Sequence, residues 1–333
     1  MEKFRLYKIA LSLSHMKECD WTQSVVAEPT DLSKAQDLFE QILMSAYKNE
    51  ERHLPIGKEP ETGDKMLPNT IIRIEKGVTL LKLHNPKNVN IWPLNGEKYP
   101  KDSFPYSYVI IDNRKGIGQM AIQMNTEAWS DPDDVKNLLQ ENFKRILKDR
   151  VGLEIEIRHK WLPTEFFNFV KKRKKDDDVY VKHLYFKITN PEFETPIETA
   201  VETSGHIRQL LNMLSQLGGA KATLQVDAPR KKELIKRKLR DIKQMVSLVA
   251  SNGYSLKVVF SDGRSYTCND WMLADFDMED KTLKDFYYGQ MNNFFEFEIF
   301  HWLDEKRIET KDYYDDARPV RQKPARKSRR KIS

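Results

Sequence analysis

Of 333 residues, 39% are hydrophobic and 32% charged, and sixteen Phe, thirteen Tyr and six Trp supply apolar bulk for one or two domains, which excludes a wholly disordered or collagen-like chain. Two cysteines, Cys19 and Cys268, exclude a disulfide scaffold and a four-thiolate zinc site, and no run of ~18 apolar residues exists to span a bilayer. The net charge is +6, but residues 318–333 hold eight cations and no acid, so everything before them nets −2.

The first eight residues interleave charges with apolar positions, so no signal-peptide core is expected there. Cytoplasm, with reduced thiols and no membrane partner, is the expected setting. Residues 3–14 alternate well enough for a strand, and residues 32–47 place Leu38, Phe39, Ile42, Leu43 and Ala46 at helical spacing, with Thr30 or Asp31 as cap. Residues 51–68 read as a Pro- and Gly-containing loop, and 85–105 as a Pro- and Asn-rich connection. Between them, 71–75 and 78–84 flank Lys76-Gly77 as a hairpin. A second hairpin joins 106–111 to 117–124. Asp131 then caps a helix that has Pro132 in its first position, carries an apolar stripe from Val135 to Leu147 and ends at Gly152. Packing is the one role the sequence suggests for it. From there strands (153–160, 179–189, 220–226) alternate with helices (163–174, 204–217, 229–250), which favours βαβ units. The 204–217 helix is expected to face Ile207, Leu210, Leu211, Leu214 and Leu217 inward. Residues 254–260 and 265–268 flank a Ser261-Asp262-Gly263-Arg264 turn, and Phe295, Phe297 and Ile299 suggest a last strand.

Few motifs carry chemistry. Gly116-Ile117-Gly118 lacks a third glycine and a following helix, so it reads as a turn and not as a dinucleotide loop. His15, Cys19 and Asp20 form no second cluster with other ligands, so neither a metal nor a cofactor is expected. A metal-dependent nuclease needs an acid and then an acid-x-Lys on a neighbouring strand, so that carboxylates hold Mg²⁺ and lysine positions water. Asp112, Glu154, Glu156 and Lys160 approximate that set at the wrong spacing, and alternation on a half-buried strand accounts for the two glutamates. Ser204 reads as a helix cap, and no GxSxG elbow is present.

The basic features are denser. The 229–250 helix carries Arg230, Lys231, Lys232, Lys236, Arg237, Lys238, Arg240 and Lys243 against Glu233 and Asp241, with Ile235, Leu239, Ile242, Val246 and Val249 as its inner stripe. A positive face of that density suits a phosphate backbone. The tail cations Arg318, Arg321, Lys323, Arg326, Lys327, Arg329, Arg330 and Lys331 suit it too, on an arm whose composition predicts disorder. The run Lys171-Lys172-Arg173-Lys174-Lys175 meets Asp176-Asp177-Asp178 and is expected to neutralise itself. Trp92, Tyr99, Phe104 and Tyr106 lie among Lys87, Lys98 and Lys101, a mixture that can stack unpaired bases.

These features predict a mixed α/β protein (α+β or α/β). Residues 1–126 form a hairpin-rich region, 127–308 an alternating region and 309–333 a disordered basic tail, although one sheet shared by both halves fits almost as well. The leading expectation is a non-catalytic accessory or regulatory protein that binds DNA or RNA phosphates without sequence preference. A metal-dependent nuclease or other nucleic-acid enzyme is one alternative. A scaffold whose tail engages an acidic protein is another. A place in a mobile-element or phage-defence system fits such a chain, with no residue behind that reading.

Overall fold

An eight-stranded and a four-stranded antiparallel sheet organise the chain, each backed by helices. The computed structural model describes residues 1–13, 32–48, 53–54, 69–85, 87–91, 99–190, 192–195, 205–217, 221–228 and 239–290. In chain order the first part comprises β1 (Glu2–Leu13), α1 (Ala35–Lys48), β2 (His53–Leu54), β3 (Asn69–Glu75), β4 (Val78–His84), β5 (Lys87–Ile91), β6 (Tyr99–Ser103), β7 (Tyr106–Asp112) and β8 (Gln119–Gln123). Then follow α2 (Pro132–Val151), β9 (Leu153–His159), α3 (Pro163–Asp177), β10 (Val181–Thr189), α4 (Gly205–Leu217), β11 (Lys221–Asp227), α5 (Leu239–Ser251), β12 (Leu256–Phe260), β13 (Ser265–Thr267), β14 (Asp275–Met278) and α6 (Asp280–Tyr288).

The long strand β1 has both edges occupied. One edge pairs with β8, Phe4 opposite Gln123 and Lys8 opposite Gln119. The other is shared end to end by β14, with Glu2 opposite Met278, and β9, with Leu13 opposite Leu153. Beyond β8 the sheet continues through β7, β4, β3 and β2. It thus takes strands from both sides of residue 127. Lys76 and Gly77 turn the β3–β4 hairpin at φ of 50° and 81°, the left-handed pair that a tight two-residue turn requires.

Period-2 alternation gives the sheet two apolar faces. Tyr7, Ile9 and Leu11 lie on one, under Phe39 and Leu43 of α1 and Leu139 and Phe143 of α2. Phe39 meets Phe143 edge to face at 5.2 Å. Phe4, Leu6, Val78 and Leu80 lie on the other, under Leu283 and Phe286 of α6. Helix α2 forms where its caps dictate: Asp131 accepts from the Asp133 amide, Pro132 opens the first turn and Gly152 closes the last at φ 67°.

The smaller sheet has the order β11-β10-β12-β13, with Leu184, Phe186 and Ile188 of β10 at its core. Phe166, Phe167 and Val170 of α3 and Ile242, Val246 and Val249 of α5 cover that face, and Leu210, Leu211 and Leu214 of α4 pack at its margin. Among the described residues of this sheet, the expected βαβ units are realised only once. Thr189 and Lys221 are register partners, so the link carrying α4 leaves and returns at one end of the sheet and joins antiparallel neighbours. β11 and β12 both run against β10, so α5 crosses between two like-directed strands with β10 inserted between them.

A buried polar lock joins the sheets. Arg158 of β9 donates from both terminal nitrogens to Glu194, at 3.1 and 2.8 Å, and Tyr254 donates its hydroxyl to the same carboxylate at 2.5 Å. Glu194 is 4% exposed. Burial opposes the Arg158 charge, but hydrogen bonds to Glu156 and Glu194 overcome it and raise the pKa. Trp161 Nε1 donates to the Tyr254 carbonyl at 3.1 Å beside this lock.

Several expectations need correction. The 85–105 connection contains the β5–β6 ribbon, and the 51–68 loop contains β2, which pairs with Asn69 and Thr70. Polar residues dominate these short strands, so no alternation announces them. Helix α3 runs to Asp177 because Arg173 bonds Asp177 one turn on, which carries the helix past its lysines. Leu217 is 72% exposed, since α4 ends with it past the margin of the core. The described part of the long basic helix begins at Leu239. The 295–299 strand lies outside the described residues.

Replacing Glu194 by Ala leaves buried Arg158 with only the exposed Glu156, and should cost about 3 kcal/mol and several degrees of melting temperature. An unshifted midpoint would show that this pair does not hold the sheets together. Ile242→Asp puts a carboxylate on the inner face of α5 and should unfold the smaller sheet's layer, read as lost near-ultraviolet dichroism.

Candidate functional site

The helices α3, α4 and α5 all lie on one side of the smaller sheet, and no element among the described residues covers its other side. The register places the outward residues of that side in a grid. Tyr185 sits on the central strand between Gln225 of β11 and Lys257 of β12, with Thr267 of β13 beyond Lys257. Two residues along β10 in one direction, Lys187 lies opposite Thr223, and Thr189 lies opposite Lys221. In the other direction, His183 lies between Asp227 and Val259. Lys187, Lys221 and Lys257 are exposed, and Tyr185 and His183 are half-buried with ring centroids 6.2 Å apart.

One acid stands within the grid, and a second, Glu156 of β9, interacts with Lys221 from outside it. Asp227 accepts from Gln225 at 2.8 Å and from His183 Nδ1 at 2.5 Å, and these bonds hold its carboxyl below the usual range. The face therefore offers three exposed cations, two rings and a row of Thr and Gln side chains able to donate and accept. It offers phosphate contacts, ring faces and hydrogen bonds at one surface.

The residues singled out from the sequence fare unevenly. Arg230, Lys231, Lys232, Lys236 and Arg237 lie outside the described residues, as do Arg318, Arg321, Lys323, Arg326, Lys327, Arg329, Arg330 and Lys331. Arg240 belongs to the first turn of α5, its side chain outside the described set, and Lys243 is half-buried on the same helix. Arg173 is paired with Asp177 and Asp262, so its charge is neutralised within the fold. Among the loop aromatics, Tyr106 packs against Tyr108 and His84 with the Lys82 ammonium 3.9 Å above its ring, and Lys87 Nζ donates to the Glu127 carbonyl at 2.7 Å. Sequence reasoning missed the open face. Its one visible signal is the Lys-Thr-Gln-Asp row alternating with Ala222, Leu224 and Val226 along β11.

Two other polar groups are structural. Asp112, considered for metal chemistry, has both carboxylate oxygens bound by Arg114 at 3.0 and 2.9 Å and is 2% exposed. Lys160 is equally buried and donates to Gln119 at 3.0 Å, while Lys8, the register partner of Gln119, donates to the Ile117 carbonyl at 2.5 Å. Glu156 is engaged by Arg158. Among the described residues, no three His, Cys, Asp or Glu converge to hold a metal. The second group fastens α2 to the large sheet, so this helix does more than pack. Asp133 accepts from Tyr7 at 2.8 Å and from His159 Nε2 at 2.7 Å, and Tyr7 and His159 are register partners on β1 and β9. Burial would raise the Asp133 carboxyl, but these two bonds and the His159 and Lys136 charges hold it down to about 2.

In comparison with known proteins, no family model, no curated protein and no solved structure matches this chain. No helix among the described residues is long and apolar enough to cross a membrane.

The Asp133 cluster makes a pH prediction with a definite sign. A carboxyl depressed from 3.8 to about 2 by folding stabilises fully above pH 4, and that contribution is lost as pH falls from about 4 to 2. Asp133 is a third exposed, so screening reduces its share to about 1 kcal/mol. Asp133→Asn should lower stability by that amount at pH 7 and show a shallower loss in the acid window. Parallel acid unfolding curves for the two proteins would contradict it.

Proposed function

We propose that the protein binds nucleic acid by its phosphate backbone, without sequence preference, as a non-catalytic accessory or regulatory protein. The contacts are the open face of the smaller sheet and the basic segments 229–243 and 318–333. One observation carries this reading: three exposed lysines surround two aromatic rings on a sheet face that α3, α4 and α5 leave uncovered. The charge distribution along the chain supports it. β11 is the edge strand of that sheet, and Arg230, Lys231 and Lys232 begin within three residues of its end. In sequence, this run of cations follows directly on the strand that carries Lys221. The 318–333 arm adds eight more charges, enough to dominate long-range attraction to a polyanion.

Affinity for a mixed-sequence oligonucleotide should fall with salt, by about 0.9 log units per log unit of salt for each duplex phosphate contact. A chain ending at Ala317 loses all eight tail cations, and its slope should be shallower by roughly 3 to 5 because a mobile arm does not make every contact at once. Charge reversal at Lys187 and Lys257 should weaken binding to unrelated sequences by equal factors. If full-length protein fails to bind at low salt, or both variants bind with wild-type affinity and slope, the nucleic-acid reading is wrong.

A further inference from the structure

We infer that the grid on the smaller sheet is a site for single-stranded nucleic acid, with successive bases stacked on Tyr185 and His183 and the backbone held by Lys187, Lys221 and Lys257. The inference rests on the nucleic-acid reading above and specifies the form of the ligand.

The first argument is shape. Four strands spaced about 4.8 Å apart make a face roughly 15 Å across. The major groove of duplex DNA is about 12 Å wide and admits a helix or a two-stranded ribbon, so this face cannot enter it. A duplex laid on the grid would meet only the outlying lysines and would leave both rings unused, because its bases already stack on one another. An unpaired strand has no such restriction and can lie along the face.

The second argument is the placement of groups. Tyr185 and His183 occupy alternate positions of the central strand, so their rings project from the same face about 7 Å apart along the chain. Successive bases of an open strand can each find a ring, and every base has a π-face to offer. Lys257 is the direct cross-strand neighbour of Tyr185, and Lys187 is two residues along β10. Both are exposed, and from these register positions their side chains are long enough to meet the phosphate of a nucleotide stacked on either ring. Lys221 lies one register step beyond, opposite Thr189 at the β11 edge.

The third argument is chemical complementarity. Gln225 and Thr267 flank the Tyr185–Lys257 row, and amide and hydroxyl groups can serve the edge of any base. Asp227 is tied to His183 and Gln225, which positions the imidazole and keeps the acid at the far corner from Lys187 and Lys221. An apolar partner would find only Tyr185 and Val259 to bury. An acidic protein would find cations but no use for the paired rings.

The test uses the full-length chain and a fluorescently labelled single strand of about 15 nucleotides, alone and annealed to its complement. Binding is read by anisotropy, with circular dichroism as the folding control. Wild type should bind the single strand more tightly than the duplex. Tyr185→Ala should weaken single-strand binding about tenfold and leave duplex binding unchanged, while Tyr185→Phe, which keeps the ring, should restore the single-strand affinity. Lys187→Glu with Lys257→Glu should weaken both. Equal affinity for the two probes, or a folded Tyr185→Ala protein that binds the single strand like wild type, overturns the single-strand site. The nucleic-acid reading survives that result if the lysine variant still weakens binding, and it falls with the site if wild type binds neither probe.

Discussion

The approach of the Asn252-Gly253 turn to β9 decides whether the two sheets can share one body. Gly253 stands at φ +63°, and a Cβ placed there would meet the Arg158 Cβ and the His159 carbonyl at 2.8 Å each. Only a residue without a side chain fits both the backbone conformation and the space. With the turn in place, Tyr254 reaches Glu194 and Glu194 reaches Arg158, so a buried guanidinium finds its carboxylate. Trp161 then bonds the Tyr254 carbonyl, and the chain leaves β9 for α3 in a fixed direction.

That junction sets what the smaller sheet can expose. Its apolar face is filled by α3, which starts next to the lock, and α5, which ends there. Among the described residues no helix covers the opposite face, and apart from Val259 it is made of polar and aromatic side chains, as suits a half-solvated antiparallel sheet. What distinguishes it from an ordinary wet face is composition. Two aromatic rings stand side by side on the central strand among three lysines; Asp227 is already bonded to His183, and Glu156 of β9 acts on Lys221 from outside the grid. A solvated face needs no rings, whereas a face that holds unpaired bases does.

Much of the fold was legible because its signals are local. Asp131, Pro132 and Gly152 bound α2 through caps within one turn of its ends, and Lys76-Gly77 marks a hairpin by its dihedral demand alone. The antiparallel hairpins and the alternating elements after residue 127 follow from the same short-range patterns. Long-range choices were not legible. Nothing in residues 2–13 says that β9 and β14 share one edge of β1, nor that Tyr7 and His159 meet over Asp133 from three distant segments. The β5–β6 ribbon escaped because Asn88, Asn90, Pro100 and Asp102 give it no apolar alternation. The open face escaped for a different reason. The alternation of β11 and β10 is plain in the sequence, but which side stays bare depends on three helices packing on the same layer. Sequence reasoning weighted cations by density along one helix, whereas the sheet brings together lysines 187, 221 and 257 from three strands.

The central claim is that unpaired bases lie on the β10 rings, and photochemical crosslinking tests it without altering the protein. A single strand carrying 5-iodouracil, which couples to aromatic side chains stacked on it, would be irradiated in complex with the full-length chain, digested and mapped by mass spectrometry. The account predicts adducts on Tyr185 or His183. Adducts confined to other peptides, with the β10 peptide unmodified at saturating protein, would contradict it.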